Sequence, residues 1–414
     1  MSKLKVKGQK AKEAAYKLAG LSTTIKNQVL CSVADALIHS TDSIIKANAL
    51  DIKEGKEKGL TSALIDRLTL DEDRVKAMAE GLIETSQLPD PVGEVVSMWK
   101  RPNGIMIGQQ RTPLGVIGII YEARPNVTVD AFGLSLKSGN AVILRGGSEA
   151  INSNIAIVKV IKKAVEEQSL PEGTIQLIED TDRAAAQEMM KLHEYIDVLI
   201  PRGGAGLIQT VIKNSTIPVI ATGDGNCHVY VDGEADLKMA EDIVINAKTQ
   251  RPGVCNTIET LLVNEAIAKE FLPNILDKLK EHNVEIRGCK KTKEIVPDIV
   301  EAEEEDWGKE YLDYIIAVKV VDGIDEAIWH INHYGTKHSE SIVTTNYNNA
   351  QKFLQEVDAA AVYANASTRF TDGAEFGFGA EMGISTQKLH ARGPLGLKEL
   401  TTMKYIIYGT GQIR

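Results

Sequence analysis

Ala141-Val142-Ile143-Leu144-Arg145-Gly146-Gly147-Ser148 decides how the chain is read: four apolar residues run directly into an arginine and a glycine turn. An apolar run this short, closed by glycines, predicts a strand buried on both faces with a helix after the turn. The pattern repeats around it. Between Gly115 and Ile220, apolar runs at 116–120, 141–144, 175–178, 196–200 and 217–220 alternate with helical stretches, which makes five strands and four crossovers. Strands of that kind form a parallel, doubly wound sheet that binds ligands at the carboxyl ends of its strands. The turns there read Glu122-Ala123-Arg124-Pro125-Asn126, Arg145-Gly146-Gly147-Ser148 and Pro201-Arg202-Gly203-Gly204-Ala205-Gly206. Glycines let a backbone approach a phosphate, and each following helix N-terminus favours negative charge. No G-x-G-x-x-G follows the first strand, so glycine turns that merely close βα units remain the alternative to a dinucleotide site.

Working outward, the first ninety residues carry helical periodicity, with Ile25, Val29, Val33 and Leu37 on one face and Val75, Met78, Leu82 and Ile83 on another. Past Pro89-Asp90-Pro91, extended runs at 92–100 and 105–111 flank Arg101-Pro102-Asn103-Gly104, a hairpin signal. A projecting ribbon needs its edges covered. The strand-like tail 403–408 is expected to pair with such a hairpin in a neighbouring subunit, giving a homo-oligomer. From about His228 a second alternation begins, with strands near 258–263, 315–321, 341–345 and 360–363 and a helix over 265–281. The reading is thus a helical layer (1–90) with a cofactor-binding domain (113–227), oligomerisation strands (91–112 and 400–414) and a catalytic domain (228–399): two doubly wound α/β domains with a small β ribbon.

Near the start of the second domain, Gln250-Arg251-Pro252-Gly253-Val254-Cys255-Asn256 places one cysteine between a helix stop and an apolar strand. A thiol in a Pro-Gly loop can face a cleft while loop N–H groups receive an oxyanion; the competing reading is a small buried hydrophobe. His330, His333 and His338 look superficially like metal ligands, yet no carboxylate sits in register, and exposed histidines at a helix end near Gly335 are the expectation. The acidic run 301–306 reads as a solvated loop. The 414 residues, 43% hydrophobic and 25% charged, are those of an ordinary globular protein, and a net charge of -10 argues against nucleic acid or an anionic membrane as partner. Four cysteines without a C-x-x-C pair point to neither zinc nor disulfides. No signal peptide or spanning run is visible, and a reducing cytoplasm fits best.

Four separated segments carry a resemblance: Tyr121-Glu122-Ala123-Arg124-Pro125-Asn126-Val127-Thr128, Gln250 to Asn256, Ala366-Ser367-Thr368-Arg369-Phe370-Thr371-Asp372-Gly373, and Phe376-Gly377-Phe378-Gly379-Ala380-Glu381. With Ser138 to Arg145 and Glu310 in the right order, the chain resembles the aldehyde dehydrogenase superfamily over nearly its whole length. More narrowly, it resembles the branch that reduces gamma-glutamyl phosphate in proline biosynthesis. The resemblance implies an aldehyde dehydrogenase-like fold, Cys255 as nucleophile and Asn126 as an oxyanion donor, a role compatible with capping its helix. It places Arg145, where relatives have a lysine, with Gly146, Gly147 and Ser148 at the adenosine ribose, which favours NADPH. Gly203 and Gly204 join the cofactor site, and Glu310 is implied to bond the nicotinamide ribose. Arg124 and Arg369 are candidates for the substrate's phosphate or carboxylate; a structural ion pair is the alternative for each.

One departure bears on the chemistry. Relatives that oxidise to free acids keep a glutamate before the cysteine, whereas here Ala221 occupies that place in Val219-Ile220-Ala221-Thr222-Gly223-Asp224. The implied reaction is NADPH-dependent reduction of gamma-glutamyl phosphate to glutamate 5-semialdehyde through a cysteine thioester. Its rivals are a hydrolytic aldehyde dehydrogenase and a non-catalytic nucleotide-binding subunit. An unstable acyl phosphate also suggests association with glutamate 5-kinase.

Overall fold

The computed structural model describes residues 2–414 and divides into two compact units. The first runs to Ala221 and adds Gly377–Gly383 and Leu395–Arg414. Its helices α1 (Lys3–Leu18), α2 (Thr23–His39), α3 (Thr41–Glu57), α4 (Ser62–Leu68) and α5 (Glu72–Gln87) begin at Ser2, Ser22, Ser40, Thr61 and Asp71, and all but Ser40 accept a first-turn N–H. Val29, Val33, Leu37, Val75, Met78 and Leu82 are buried, while Ile25 and Ile83 remain exposed.

A hairpin follows, β1 (Val95–Lys100) and β2 (Met106–Pro113), turned through Gly104 at φ 91°. The C-terminal strand Thr401–Tyr408 lies antiparallel to β2 of its own chain, from Thr401 opposite Pro113 to Tyr408 opposite Met106. This corrects the expectation of pairing in a neighbour. The Asn140 amide donates to Leu400 O at 2.9 Å and Arg111 to Lys398 O at 3.3 Å, so the tail starts beside β2 and zips along it. Val95, Val96, Met98, Trp99, Tyr405 and Ile407 are exposed on this ribbon.

The parallel sheet of the first unit contains β3 (Val116–Tyr121), β4 (Ala141–Arg145), β5 (Ile175–Leu177) and β6 (Val198–Arg202), in the order β5-β4-β3-β6. Helices α6 (Asn126–Lys137), α7 (Ile151–Glu167), α8 (Arg183–Met189) and α9 (Ala205–Asn214) connect or follow them. The expected fifth strand at 217–220 is reduced to a single bridge, Val219 to Leu199. Pro218 has no N–H to extend the ladder; its carbonyl and the Ile220 N–H supply the two bonds made. Asp51 of α3 reaches the start of α7 and accepts from the Asn152 and Ser153 N–H groups at 3.1 and 2.7 Å, which ties the helical layer to the sheet's own helices.

The second unit comprises Thr222–Phe376 and Ile384–Pro394, so the chain divides at Ala221/Thr222, not at 227/228, and 377–383 and 395–399 return to the first unit. The cause is local. Residues 222–226 are fastened within the second unit, by the Thr222 bridge to Ser385 and by Gly225 N–H to Glu310 at 2.7 Å. Seven parallel strands form its sheet: β7 (Cys227–Val231), β8 (Ile258–Asn264), β9 (Glu285–Gly288), β10 (Val300–Glu301), β11 (Ile315–Val321), β12 (Ser339–Val343) and β13 (Ala361–Ala364), in the order β10-β9-β11-β8-β7-β12-β13. Its helices are α10 (Leu237–Thr249), α11 (Glu265–Glu281), α12 (Lys290–Ile295), α13 (Ile324–Tyr334) and α14 (Tyr347–Glu356). The core on one face gathers Val229, Val244, Leu261, Phe271, Leu276 and Val318.

Two smaller expectations are corrected here. His330 and His338 are fully buried rather than exposed at a helix end. His330 packs edge-on against Trp307 and His228, and burial lowers its pKa to about 2 and that of His338 to about 4, so both are neutral. The acidic run is not wholly solvated. Asp306 is buried and accepts from Arg287 and the Tyr311 hydroxyl, each at 2.8 Å. Among the described residues no helix is long and apolar enough to cross a membrane, and no cluster of metal-ligating side chains occurs.

Candidate active site

Cys255 lies half-buried in the turn that links α10 to β8. Every neighbour of that turn is pinned by a side chain or a close backbone approach. Thr257 N–H bonds Val254 O at 3.1 Å, and the Thr257 hydroxyl reaches back to Arg251 O at 2.6 Å, closing the loop on itself. The Asn256 amide donates to Thr371 O at 2.9 Å and Arg369 O at 3.3 Å, and Asn256 O accepts from the Thr368 hydroxyl at 2.7 Å. Beneath, the Cys227 thiol donates to Cys255 O at 3.1 Å. Burial pushes the Cys227 thiol well up, which keeps it a neutral donor. Gly225 closes the other side: a Cβ there would fall 1.6 Å from Cys255 O, so only glycine fits. The register between β7 and β8 shifts at Cys227/His228, a bulge beside this turn.

Two charges frame the same segment from within the core. Lys248, in the last turn of α10, and Glu259 of β8 are both fully buried and meet at 2.6 Å. Burial lowers the lysine and raises the glutamate to about 7, while each partner opposes the other's shift. The other Glu259 oxygen accepts from Leu312 N–H at 3.1 Å. Glu310 is half-buried, not an exposed member of the acidic run. It accepts from Gly225 N–H at 2.7 Å, one residue contact away from Cys255; burial raises its pKa, and the Asp224 carboxyl raises it further. Arg369 is half-buried, its Nε bonded to Gln250 Oε1 at 2.9 Å. Cys255, Glu310 and Arg369 are thus brought together within the second unit.

In the first unit the remaining candidates gather at the carboxyl ends of β3, β4 and β6. The chain runs from β3 outward to β5 and crosses back to β6, so the sheet's switch point falls between β3 and β6. Arg145 ends β4, with Nη2 on Thr181 O at 2.9 Å and a buried Nε–H without a hydrogen-bond partner. Burial lowers its pKa, opposed by Glu149 and Asp180. Gly146 and Gly147 leave no room for side chains, since a Cβ would meet Asn154 at 2.2 Å or Glu149 at 2.4 Å. Ser148, exposed, opens the turn into α7. Gly203 and Gly204 precede α9, and Gly204 N–H donates to the Glu122 carboxylate at 3.2 Å. Glu122 was not singled out from sequence, although it sits in the first quoted turn; a carboxylate at a helix N-terminus is a favourable cap. The unpartnered Arg145 N–H and the glycine cradle fit an anionic nucleotide group.

Asn126 is the first residue of α6, exposed, and does not cap it; its amide donates to Asp130 at 3.2 Å. Burial pushes the Asp130 carboxyl up to about 6, opposed by that bond. Arg124, also exposed, lies two residues before it. Sequence reading missed Asn256 as a clamp and the Lys248–Glu259 pair, although Asn256 stood in the quoted motif.

Residues 4–314 match the aldehyde dehydrogenase family. Gamma-glutamyl phosphate reductases of Clostridium perfringens and Clostridium botulinum are each 65% identical, covering 100% of this chain and 100% of theirs. The crystal structure of gamma-glutamyl phosphate reductase from Thermotoga maritima matches with a TM-score of 0.98 at 54% identity, covering 100% of both chains. An acetylating aldehyde dehydrogenase from Geobacillus thermoglucosidasius shares the fold, with a TM-score of 0.69 at 18% identity over 100% of this chain and 97% of its own.

Proposed function

Because the chain belongs to the aldehyde dehydrogenase family, and within it to the gamma-glutamyl phosphate reductases, it is an oxidoreductase, and we propose that it reduces gamma-glutamyl phosphate to glutamate 5-semialdehyde and phosphate with NADPH, in proline biosynthesis. The observation that carries this reading is the Cys255 turn, held on every side, with Glu310 and Arg369 beside it.

The Cys255 thiolate attacks the acyl carbon; the C–S bond forms, the C–O bond breaks, and phosphate leaves with the electron pair. Asn126 is the side-chain donor to the oxyanion, joined by the Cys255 N–H, and each such donor is worth roughly 3 kcal/mol. Bound NADPH would supply hydride to the thioester carbon, after which the thiolate departs and the aldehyde is released. Arg145, Gly146, Gly147, Ser148, Gly203 and Gly204 would hold the nucleotide, the arginine favouring a 2′-phosphate. Glu310, fixed by Gly225 N–H, would orient the nicotinamide ribose. Arg124 and Arg369 are assigned to the anionic groups of the substrate. The apolar ribbon supports assembly of like subunits, and association with glutamate 5-kinase would shorten the path of a labile substrate.

The Glu310 carboxyl, raised by burial and by Asp224, is the one observation that favours hydrolysis instead, since it offers a base near Cys255. Oxidation of the semialdehyde with NADP separates the two: the reductase reading requires phosphate for turnover, and an equal rate without phosphate would sink it.

A further inference from the structure

Leu312 has a φ of 54°, in the left-handed region that a bulky residue enters only at a cost in strain. Its side chain is 44% exposed, so packing offers little to offset that cost. The backbone supplies the anchor instead: Leu312 N–H donates to Glu259 Oε1 at 3.1 Å. Glu259 is fully buried, and its other oxygen meets the equally buried Lys248 Nζ at 2.6 Å. Lys248 lies in the last turn of α10 and Glu259 is the second residue of β8, so the pair stands at the two ends of the turn that carries Cys255. One carboxylate thus reaches from the base of that turn to the loop that carries Glu310, two residues before Leu312. The two segments lie side by side, since a Cβ built on Gly253 would come to 3.8 Å of Leu312 O. Tyr311, between Glu310 and Leu312, is fixed by its hydroxyl, which donates to Asp306 at 2.8 Å. An apolar pair of similar size often serves a core as well as a buried ion pair does. Stability therefore does not account for these charges, whereas an acceptor for Leu312 N–H, held in place by the lysine, does.

We propose that Glu259 is a positioning residue: through Leu312 N–H it fixes the loop that presents the Glu310 carboxylate to the nicotinamide ribose, and so serves the hydride step. This rests on the reductase reading above, in which Glu310 takes the ribose, and deepens it. Glu310 is held at its tip by Gly225 N–H at 2.7 Å, and Glu259 holds the loop at its root. Holding both matters, because a shift of about 1 Å in a group that aligns the reactants can cost on the order of 10²-fold in rate. The nucleophile's own turn is closed by separate bonds, from Thr257 N–H to Val254 O and from the Cys227 thiol to Cys255 O, each at 3.1 Å. Acylation of Cys255 and the hydride step therefore respond differently to loss of the Glu259 acceptor.

Removing one charge alone would strand the other, so the test replaces both in the whole enzyme. K248M/E259M has no acceptor for Leu312 N–H, whereas K248M/E259Q keeps one. Acylation of Cys255 by gamma-glutamyl phosphate, followed by mass without NADPH, should stay within about twofold of wild type in both. Discharge of that adduct by NADPH should slow about tenfold or more in K248M/E259M and stay within about threefold of wild type in K248M/E259Q. Added to E310Q, K248M/E259M should cost less than about twofold further, because its effect passes through Glu310. Equal losses in the two double variants, equal slowing of both steps, or a full further loss in E310Q would overturn the proposal. Should K248M/E259M not fold, the wild type still decides: Leu312 N–H should exchange with deuterium slowly despite the exposed side chain, and rapid exchange would remove the bond on which the proposal stands. If the wild type forms no glutamyl adduct, the reductase reading fails by itself, and NADPH affinity in the same variants decides. Fluorescence titration should then show Kd raised about fivefold in K248M/E259M and restored in K248M/E259Q, and an unchanged Kd would overturn the proposal.

Discussion

The Cys255 turn of the second unit and the glycine turns of the first are both short connections to a parallel sheet, yet they are held in different ways. Around Cys255, side chains bind backbone: Thr257, Asn256, Thr368 and Cys227 each spend a polar group on a carbonyl of the turn or its neighbour, over a buried Lys248–Glu259 pair. Around Arg145 the turn is narrow because glycines pack against Asn154 and Glu149, and the arginine keeps a buried donor without a partner. A sulfur that forms a covalent bond must be held to a fraction of an ångström, and the bonds to the carbonyls of Arg251, Cys255 and Asn256 serve that purpose. A turn that exchanges a soluble ligand each cycle keeps donors in reserve for it.

The sharpest way to break this contrast is Cys255→Ala, which should lower turnover on the order of 10⁴-fold or more, followed by NADPH absorbance, while NADPH binding, read by fluorescence, should persist because the substitution removes none of the residues proposed to hold the nucleotide. Next, Glu259→Gln leaves Lys248 buried and uncompensated. It should cost about 3–5 kcal/mol in denaturant unfolding, whereas Arg145→Gln should cost no more than about 0.5 kcal/mol, as expected of a ligand-facing group. Asn126→Ala should reduce kcat by about 10²–10³-fold with stability little changed; an effect confined to KM would remove the oxyanion role. The smallest effect belongs to Arg145→Gln in cofactor choice. It should raise the KM for NADPH about tenfold and leave that for NADH unaltered, and an equal rise for both would mean that the arginine does not read the 2′-phosphate.

Much of the fold was legible because its strands are apolar runs of ordinary length, as at 116–121 and 315–321, and its helices keep period and caps. What escaped was where polar residues are buried. Strand β7 opens with Cys227-His228, and the Nδ1 of the buried histidine meets the Glu340 carboxylate, 112 residues away, at 2.9 Å. Nothing local marks that as a strand. Lys248 and Glu259 carry no sign of their burial in the sequence, because burial of a charge depends on a partner that the sequence does not point to. Pro218 had the opposite effect: an apolar run suggested a full strand, and one missing N–H cut it to a bridge. In the site, the polar residues between motif positions were the harder ones to read. Asn256 looks like a companion of the cysteine, and only its bonds to Arg369 and Thr371 reveal that it joins two motifs 113 and 115 residues apart.

The central claim, that the acyl group passes through Cys255 and is released by hydride, is tested most directly by mass. Enzyme incubated with gamma-glutamyl phosphate generated in situ, without NADPH, should gain one glutamyl group on the peptide carrying Cys255, and NADPH should remove it as semialdehyde appears. Full turnover in Cys255→Ala, or a wild-type adduct that NADPH does not discharge, would contradict the account.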